Sequence, residues 1–296
     1  MRLSGVEHSS GCIAVSVESM KRTPILITAS LHAGNTPYVA LSATDERIEA
    51  HMQGLLAWLK EPSVEKIVFA KNCIAKIRPE ILMQEASSYG KELEFVQVFP
   101  SRRTVVQGKG FGEGDLISQA LEKSEMLREA HDFIKTTGKL FCPGLGDLFS
   151  GESMGEFFVS RECSPSSVNP IRKNLSPLYR TDRGSSALGL MKRRMRIPWG
   201  LVAVAPGAMV DTRLYRANRD FYGNALWHSH RRVQDALGYT LERAFYDDLI
   251  RYSSSVRMMQ LSPEIIGTSG SLGTMAGNFP DEIRLEAREL AVRILE

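Results

Sequence analysis

The sequence predicts an α/β protein with a mostly parallel sheet flanked by helices. Short β-prone apolar runs alternate with amphipathic stretches, giving three strand–helix repeats in about 130 residues, the pattern of parallel strands joined by helical crossovers. The chain has 296 residues, 43% of them hydrophobic and 24% charged, which supports a large core and excludes disorder and coiled coil. No internal repeat or low-complexity tract interrupts it.

The elements follow in order. Ile25 to Leu31 (ILITASL) is apolar and reads as a buried first strand. Asp45 to Lys60 places Ile48, Met52, Leu55, Leu56 and Leu59 on one helical face. Val64 to Ala70 is a second strand, Ile74 to Ser88 a helix, and Leu93 to Phe99 a third strand. Gly112 to Arg128 aligns Leu116, Ile117, Ala120, Leu121 and Leu127 and is helical. Phe133 to Phe141 is a fourth strand. Residues 142–198, rich in Pro, Gly, Ser and Arg, are expected to form a loop or small subdomain inserted in a single domain spanning 1–296. A core strand is expected at Leu201 to Val204, then helices from Arg219 to Leu237, from Leu241, and from Asp281 to Leu295.

The net charge of +3 conceals an uneven distribution. Arg172 to Arg196 holds eight Lys/Arg and one acid, so this stretch carries +7 and the remainder −4. Such a patch suits an anionic partner. Cys12, Cys73, Cys142 and Cys163 lack metal-ligand or redox spacing and read as reduced thiols of a cytoplasmic protein. The opening MRLSGVEHSSGC has no apolar stretch, so no secretory signal is expected. The run from Trp199 to Val210 is too short to span a bilayer; membrane contact is expected to be peripheral.

Several segments suit ligand chemistry. GKGFGEG, Gly108 to Gly114, precedes a helix; glycines there permit close backbone approach, and a helix N-terminus attracts phosphate. Lys109 adds charge, and Glu113 lies inside the segment. It is not a Walker loop, because no Lys-Ser/Thr follows. FIKTTGKLF puts Lys135 and Lys139 around Thr137 and Gly138, a pattern that equally fits an edge strand blunted by lysines. Asp211 and Arg213 follow the run ending at Val210, expected at a strand's carboxyl end, where α/β sheets gather ligands. Asp235 and Glu242 bracket a turn; Glu242 suits a base or simply complements a helix dipole. GTSGSLG contains Ser269 and Ser271. His228 and His230 are badly spaced for a shared metal on a helix. No Asp-x-Asp occurs, and no G-x-S-x-G elbow.

Together these segments resemble bacterial glycosyltransferases of capsule and lipopolysaccharide synthesis, over roughly Ile25 to Gly273. The resemblance rests on ILITASL (containing Thr28), then a helix with Asp45, Arg47, Trp58 and Leu59. Next come Asn72 in IVFAKNC, then Lys109, Gly110, Phe111, Gly112 and Glu113 matching Lys-Gly-Tyr-Gly-Glu. Lys135, Thr136, Thr137, Gly138 and Lys139 match Lys-Ile-Thr-Gly-Arg. Asp211-Thr212-Arg213, then Val233, Asp235, Leu241 and Glu242, then Ser269-Gly270-Ser271 complete the order. Departures are Lys71 and Cys73 beside Asn72, and Lys139 in place of Arg.

The resemblance implies a GT-A-like, Rossmann-type sheet and transfer of a sugar from a nucleotide diphosphate sugar to a glycan or polyprenyl-diphosphate-linked hydroxyl. The implied donor-binding residues are Thr28, Arg47, Asn72, Lys109, Gly110, Gly112, Glu113, Lys135, Thr137, Gly138, Lys139 and Arg213. Asp235, Ser269 and Ser271 would bind acceptor; Glu242, then Asp211, would be the base. With Thr137-Gly138-Lys139 where many such enzymes carry Asp-x-Asp, neither metal nor other cofactor is expected. The basic cluster suggests either an anionic membrane surface or a solvated loop. Two rival readings are a catalytically silent assembly partner and a nucleic-acid-binding protein, the latter disfavoured by the small net charge and lack of a recognised module.

Overall fold

A computed structural model describes residues 21–31, 43–73, 76–149, 156–159, 209–259, 261–268 and 275–296. The strands are β1 (Ile25–Ala29), β2 (Lys66–Lys71), β3 (Glu92–Gln97), β4 (Asp132–Thr137), β5 (Leu140–Phe141), β6 (Phe157–Val159), β7 (Leu214–Asn218), β8 (Val256–Met258), β9 (Ile266–Thr268) and β10 (Met275–Gly277). The helices are α1 (Thr44–Lys60), α2 (Pro79–Ser88), α3 (Arg103–Gln107), α4 (Lys109–Lys123), α5 (Glu125–Glu129), α6 (Leu145–Phe149), α7 (Arg219–Ala225), α8 (Leu241–Leu249) and α9 (Asp281–Arg293).

Seven strands form the main sheet in the order β3-β2-β1-β4-β7-β6-β8. The β3-β2-β1-β4 half is parallel; β7 runs antiparallel to both β4 and β6, and β8 parallel to β6. Helix-linked parallel strands followed by an antiparallel β7 give the expected α/β class with a mostly parallel sheet. A second sheet, β10-β9-β5, is antiparallel.

Strand alternation divides the core into two layers. Ile25, Ile27, Ile67, Phe69 and Ile134 face α1 and α9. Leu26, Val68, Ala70 and Phe133 face α4, whose Leu116, Ile117, Ala120 and Leu121 complete that layer. Burial on both faces explains why the parallel strands read as apolar runs without alternation.

Several expectations are corrected. The fourth strand does not run from Phe133 to Phe141: it breaks at Gly138, and Leu140–Phe141 leaves for the second sheet as β5. Trp58 Nε1 donates to the Leu140 carbonyl at 2.9 Å, and its ring meets Phe141 edge-on, holding the diverted strand on α1. The helix expected from Arg219 to Leu237 is only α7 followed by two 3₁₀ turns, because Asn218 caps a short helix and Gly238 takes a left-handed conformation. The helix expected from Ile74 begins at Pro79, an N-terminal position suited to proline. Phe157–Val159, inside the expected insert, is a buried sheet strand. The expected strand Leu201–Val204 and the basic cluster Arg172–Arg196 lie outside the described residues.

The break at Gly138 is held from three sides. A Cβ on Gly54 of α1 would overlap the Gly138 carbonyl, and one on Gly267 of β9 would overlap the Lys139 carbonyl. A Cβ on Gly138 itself would crowd His51 and the Thr28 carbonyl. Alanine normally favours a helix interior over glycine by about 1 kcal/mol. Gly54→Ala should reverse that sign and destabilise the chain by about 1–3 kcal/mol through overpacking, as read from the urea midpoint.

Candidate functional site

Parallel strands place their carboxyl ends on one edge, where ligand sites of open α/β sheets form. Here that edge is built by Thr28 at the end of β1, Lys71 and Asn72 at the end of β2, and Thr137 to Lys139 at the end of β4. Arg47 and His51 of α1, one turn apart, reach it from one side; Lys109 to Glu113 of α4 reach it from the other. The antiparallel β7 begins at this edge, since Leu214 pairs with Thr136. Asp211 and Arg213 therefore precede a strand here; the apolar run expected before Asp211 lies mostly outside the described residues. The predicted donor-binding residues thus assemble along one edge.

Their roles differ. Lys135 is wholly buried on the α4 face of β4, and its three ammonium protons reach Glu113, Thr137 Oγ1 at 3.1 Å and the Thr212 carbonyl at 2.6 Å. Glu113 also accepts from Thr137 Oγ1 at 3.2 Å. Burial alone would raise the Glu113 pKa, but Lys135 and Lys109 hold it below the usual carboxylate value. This pair is satisfied from within the protein.

Lys139 follows the Gly138 turn. It is buried, and its pKa falls to about 7, first through desolvation and then through repulsion by Arg47 and Lys109, against which Glu113 is the smaller influence. Arg47 is held by the Ser30 carbonyl, to which Nε donates at 2.9 Å and Nη2 at 2.6 Å. His51 was missed from sequence, although its place four residues after Arg47 on the buried face of α1 was a usable signal. Its Nδ1 lies 2.7 Å from the Arg47 carbonyl, and burial, followed by Lys139, pushes its pKa well below 6.5. Lys71 is also buried, which lowers its pKa. The edge is therefore a partly desolvated cationic cluster.

The glycine segment departs from its expected form. Gly108, with φ of 106°, precedes α4, but Gly110, Gly112 and Gly114 are inside the helix. They serve close packing: an added Cβ would press on Asp235 and Leu241 at Gly110, on Thr104 at Gly112, and on His230 at Gly114. The Gly110 N–H donates to Asp235 Oδ2 at 2.9 Å, so a carboxylate of the chain itself caps the helix. Burial raises the Asp235 pKa, opposed by that N–H and reinforced by Glu242. Thr28 Oγ1 donates to the Thr136 carbonyl at 3.2 Å, joining β1 to β4. Asn72 Nδ2 donates to the Gly112 carbonyl at 3.3 Å, while its Oδ1 is buried and without a partner.

Glu242, in the first turn of α8, accepts from Thr212 Oγ1 at 3.1 Å. Asp211 is gripped by Arg213, with Nε to Oδ1 at 2.9 Å and Nη2 to Oδ2 at 2.7 Å. Ser269 and Ser271 lie outside the described residues. Among the described residues, no three His, Cys, Asp or Glu side chains gather closely enough to hold a metal. A divalent cation beside Gly138 would face Lys139 and Arg47, so the described residues do not suit one.

No protein-family model and no curated protein sequence matches the chain. Some solved structures are similar to it. The bifunctional glycosyltransferase WbbM is 10% identical, with a TM-score of 0.47, covering 93% of this chain and 52% of its own. The galactosyltransferase LgtC, solved with donor and acceptor sugar analogues, is 9% identical, with a TM-score of 0.45, covering 80% of this chain and 73% of its own. A nucleoside-diphosphate-sugar pyrophosphorylase from Vibrio cholerae is 12% identical, with a TM-score of 0.43, covering 90% of this chain and all of its own.

The two lysines near the end of β4 should respond oppositely to substitution. Lys135→Met leaves Glu113 buried and should cost about 3–5 kcal/mol. Lys139→Met removes a charge that burial opposes. In the folded chain Lys139 loses its proton near pH 7, whereas an unfolded lysine keeps it until about 10.5. Its penalty is thus fully present below pH 7 and relieved as pH rises. Lys139→Met should therefore stabilise the ligand-free chain, most below pH 7; denaturant titrations at pH 6 and pH 9 measure both signs.

Proposed function

We propose that the chain is a glycosyltransferase that uses a nucleotide diphosphate sugar and works without a metal. The observation that carries this reading is the cationic cluster of buried Arg47 and Lys139 with partly exposed Lys109 at the carboxyl edge of β1 and β4. Desolvation, then Arg47 and Lys109, lower the Lys139 pKa, and a bound dianion would offset both. A diphosphate is the part of a nucleotide sugar that must be neutralised as it leaves, so charge fixed there favours the departing group.

In this reading the residues divide by task. Lys139, Lys109 and Arg47 meet the diphosphate, and Lys135 with Glu113 keeps the end of β4 in position for them. Thr28, Asn72, Thr137 and Gly138 shape the pocket floor. Gly110 and Gly112 let α4 approach Asp235 and Thr104, bringing Lys109 to the edge. Glu242 is the preferred base on the acceptor hydroxyl, because Asp211 is already bound at both oxygens by Arg213. Asp235, whose pKa is raised by burial and then by Glu242, fixes the acceptor side together with Ser269 and Ser271. The acceptor we propose is a glycan or polyprenyl-diphosphate-linked sugar of a capsule or lipopolysaccharide, met at the cytoplasmic membrane face through the Arg172–Arg196 cluster. No helix among the described residues is long and apolar enough to cross a membrane.

Thermal-shift measurements against a panel of nucleotide sugars, with excess chelator present, test the donor assignment. A selective shift by one nucleotide diphosphate sugar supports it; no shift with any favours the silent assembly role, and a shift needing Mn²⁺ or Mg²⁺ overturns metal independence. Because the ligand requires Lys139 protonated, affinity should fall above about pH 7 in the wild type and lose that pH dependence in Lys139→Met. With the donor identified, Glu242→Gln should lower kcat by about 10²–10⁴-fold with little change in donor affinity, measured by steady-state transfer and by titration.

A further inference from the structure

The two most exposed large apolar side chains among the described residues belong to one segment. Phe99 is 69% exposed and Val106 is 75% exposed, and both lie between β3 and α4. The segment leaves the carboxyl edge of the main sheet, because the Val98 N–H donates at 2.8 Å to the carbonyl of Lys71, the last residue of β2. Pro100 then restricts Phe99 to extended backbone. Phe99 therefore opens a loop at the same edge as the cationic cluster.

α3 is fixed on its inner side. Thr104 is buried against Gly112, where an added Cβ would overlap the threonine methyl. Gln107 Nε2 donates to the carbonyls of Arg231 and Val233, each at 3.1 Å. At about 100° per residue, Arg102, Val106 and Arg103 fall in one sector that leaves Thr104 outside it, and all three are exposed. The Gln107 bonds also bring the 3₁₀ turn Ser229–Arg232 alongside, with Arg231 exposed on it.

The charge of this surface is one-sided. From Phe95 to Gly112 the chain carries Arg102, Arg103 and Lys109 and no acid. Among the described residues Arg102, Arg103 and Arg231 form no ion pair, whereas the neighbouring Arg232 is held by Asp248. The nearby acids are Asp115, within electrostatic reach of Arg231, and Asp235, which accepts from the Gly110 N–H. Protruding apolar groups flanked by uncompensated guanidinium groups suit a surface that is apolar beneath and anionic above. A nucleic acid would use the arginines but leave Val106 in water. We propose that Phe99, Val106, Arg102, Arg103 and Arg231 form the surface on which the chain rests against an anionic lipid bilayer. The two apolar side chains enter the boundary between headgroups and acyl chains, and the arginines meet the lipid phosphates. This contact is separate from the Arg172–Arg196 cluster. That it presents the cationic edge to a lipid-linked acceptor rests on the transferase reading; the contact itself does not.

Co-sedimentation of the whole chain with vesicles of phosphatidylcholine, and of phosphatidylcholine mixed equally with phosphatidylglycerol, tests this. Binding to the anionic vesicles should be at least about tenfold tighter and should weaken with salt. Arg102→Glu with Arg103→Glu should weaken it about tenfold, and Phe99→Ser with Val106→Ser at least about threefold. All four positions are exposed, so the thermal midpoints should not change. Relative to wild type, the tryptophan of Phe99→Trp should shift its emission to the blue on anionic vesicles and be quenched by brominated acyl chains. That of Tyr252→Trp, ahead of β8 at the opposite edge of the sheet, should do neither. The proposal is overturned by absent binding, by equal binding to both vesicles, or by tighter binding of a single-stranded oligonucleotide through the same arginines. Insensitivity to the four loop substitutions, with binding lost on charge reversal at Lys192, Arg193 and Arg194, overturns it too. No nucleotide sugar enters this assay, so its failure leaves the donor assignment standing, and thermal shifts without vesicles test that assignment separately.

Discussion

The buried pair Lys135–Glu113 is the interaction on which the rest of the site depends. A lysine in the middle of a central strand is tolerable only when all its protons have acceptors, because an unpaired charge there is strongly unfavourable. Three acceptors come from three segments: Glu113 from α4, Thr137 from β4 itself, and the Thr212 carbonyl from the approach to β7. Satisfying one ammonium therefore fixes where α4 stands, how far β4 runs and where β7 enters antiparallel. The two charges cancel each other and leave the neighbouring edge cationic.

That edge owes its character to the turn that follows. Gly138 ends β4 and sends Lys139 toward α1, while Leu140 and Phe141 leave for the second sheet. Glycines at 54, 138 and 267 allow α1, the turn and β9 to meet with almost no intervening side chain. Lys139 is buried there, within electrostatic reach of Arg47 and His51. The strain is electrostatic: desolvation, then the charges of Arg47 and Lys109, lower the Lys139 pKa.

Much of the fold was legible because it obeys simple periodicities. The β1 and β2 segments are short, nearly continuous apolar runs and the α1 face repeats every 3.6 residues, and the structure follows both closely. The misreadings arise where long-range contacts override local pattern. Phe133 to Phe141 looks like one strand because its residues favour extended backbone throughout, and only the Trp58–Leu140 bond and the β9 pairing explain its division. The short strands β6, β8 and β9 carry three residues each, too few for any period to register. The glycines of GKGFGEG looked like a phosphate loop; the neighbours that need their missing side chains, Thr104, His230 and Asp235, are distant in sequence or uninformative alone.

The sequence by itself determined the α/β class, the parallel half of the sheet and the residues that gather at its carboxyl edge, since hydrophobic period and crossover chirality are local properties. Tertiary structure alone decided which of two similar lysines is neutralised and which stays strained. Lys135 and Lys139 sit four residues apart in one motif, and their difference lies in partners supplied by other segments and in desolvation. Neither quantity exists until the chain has closed around them.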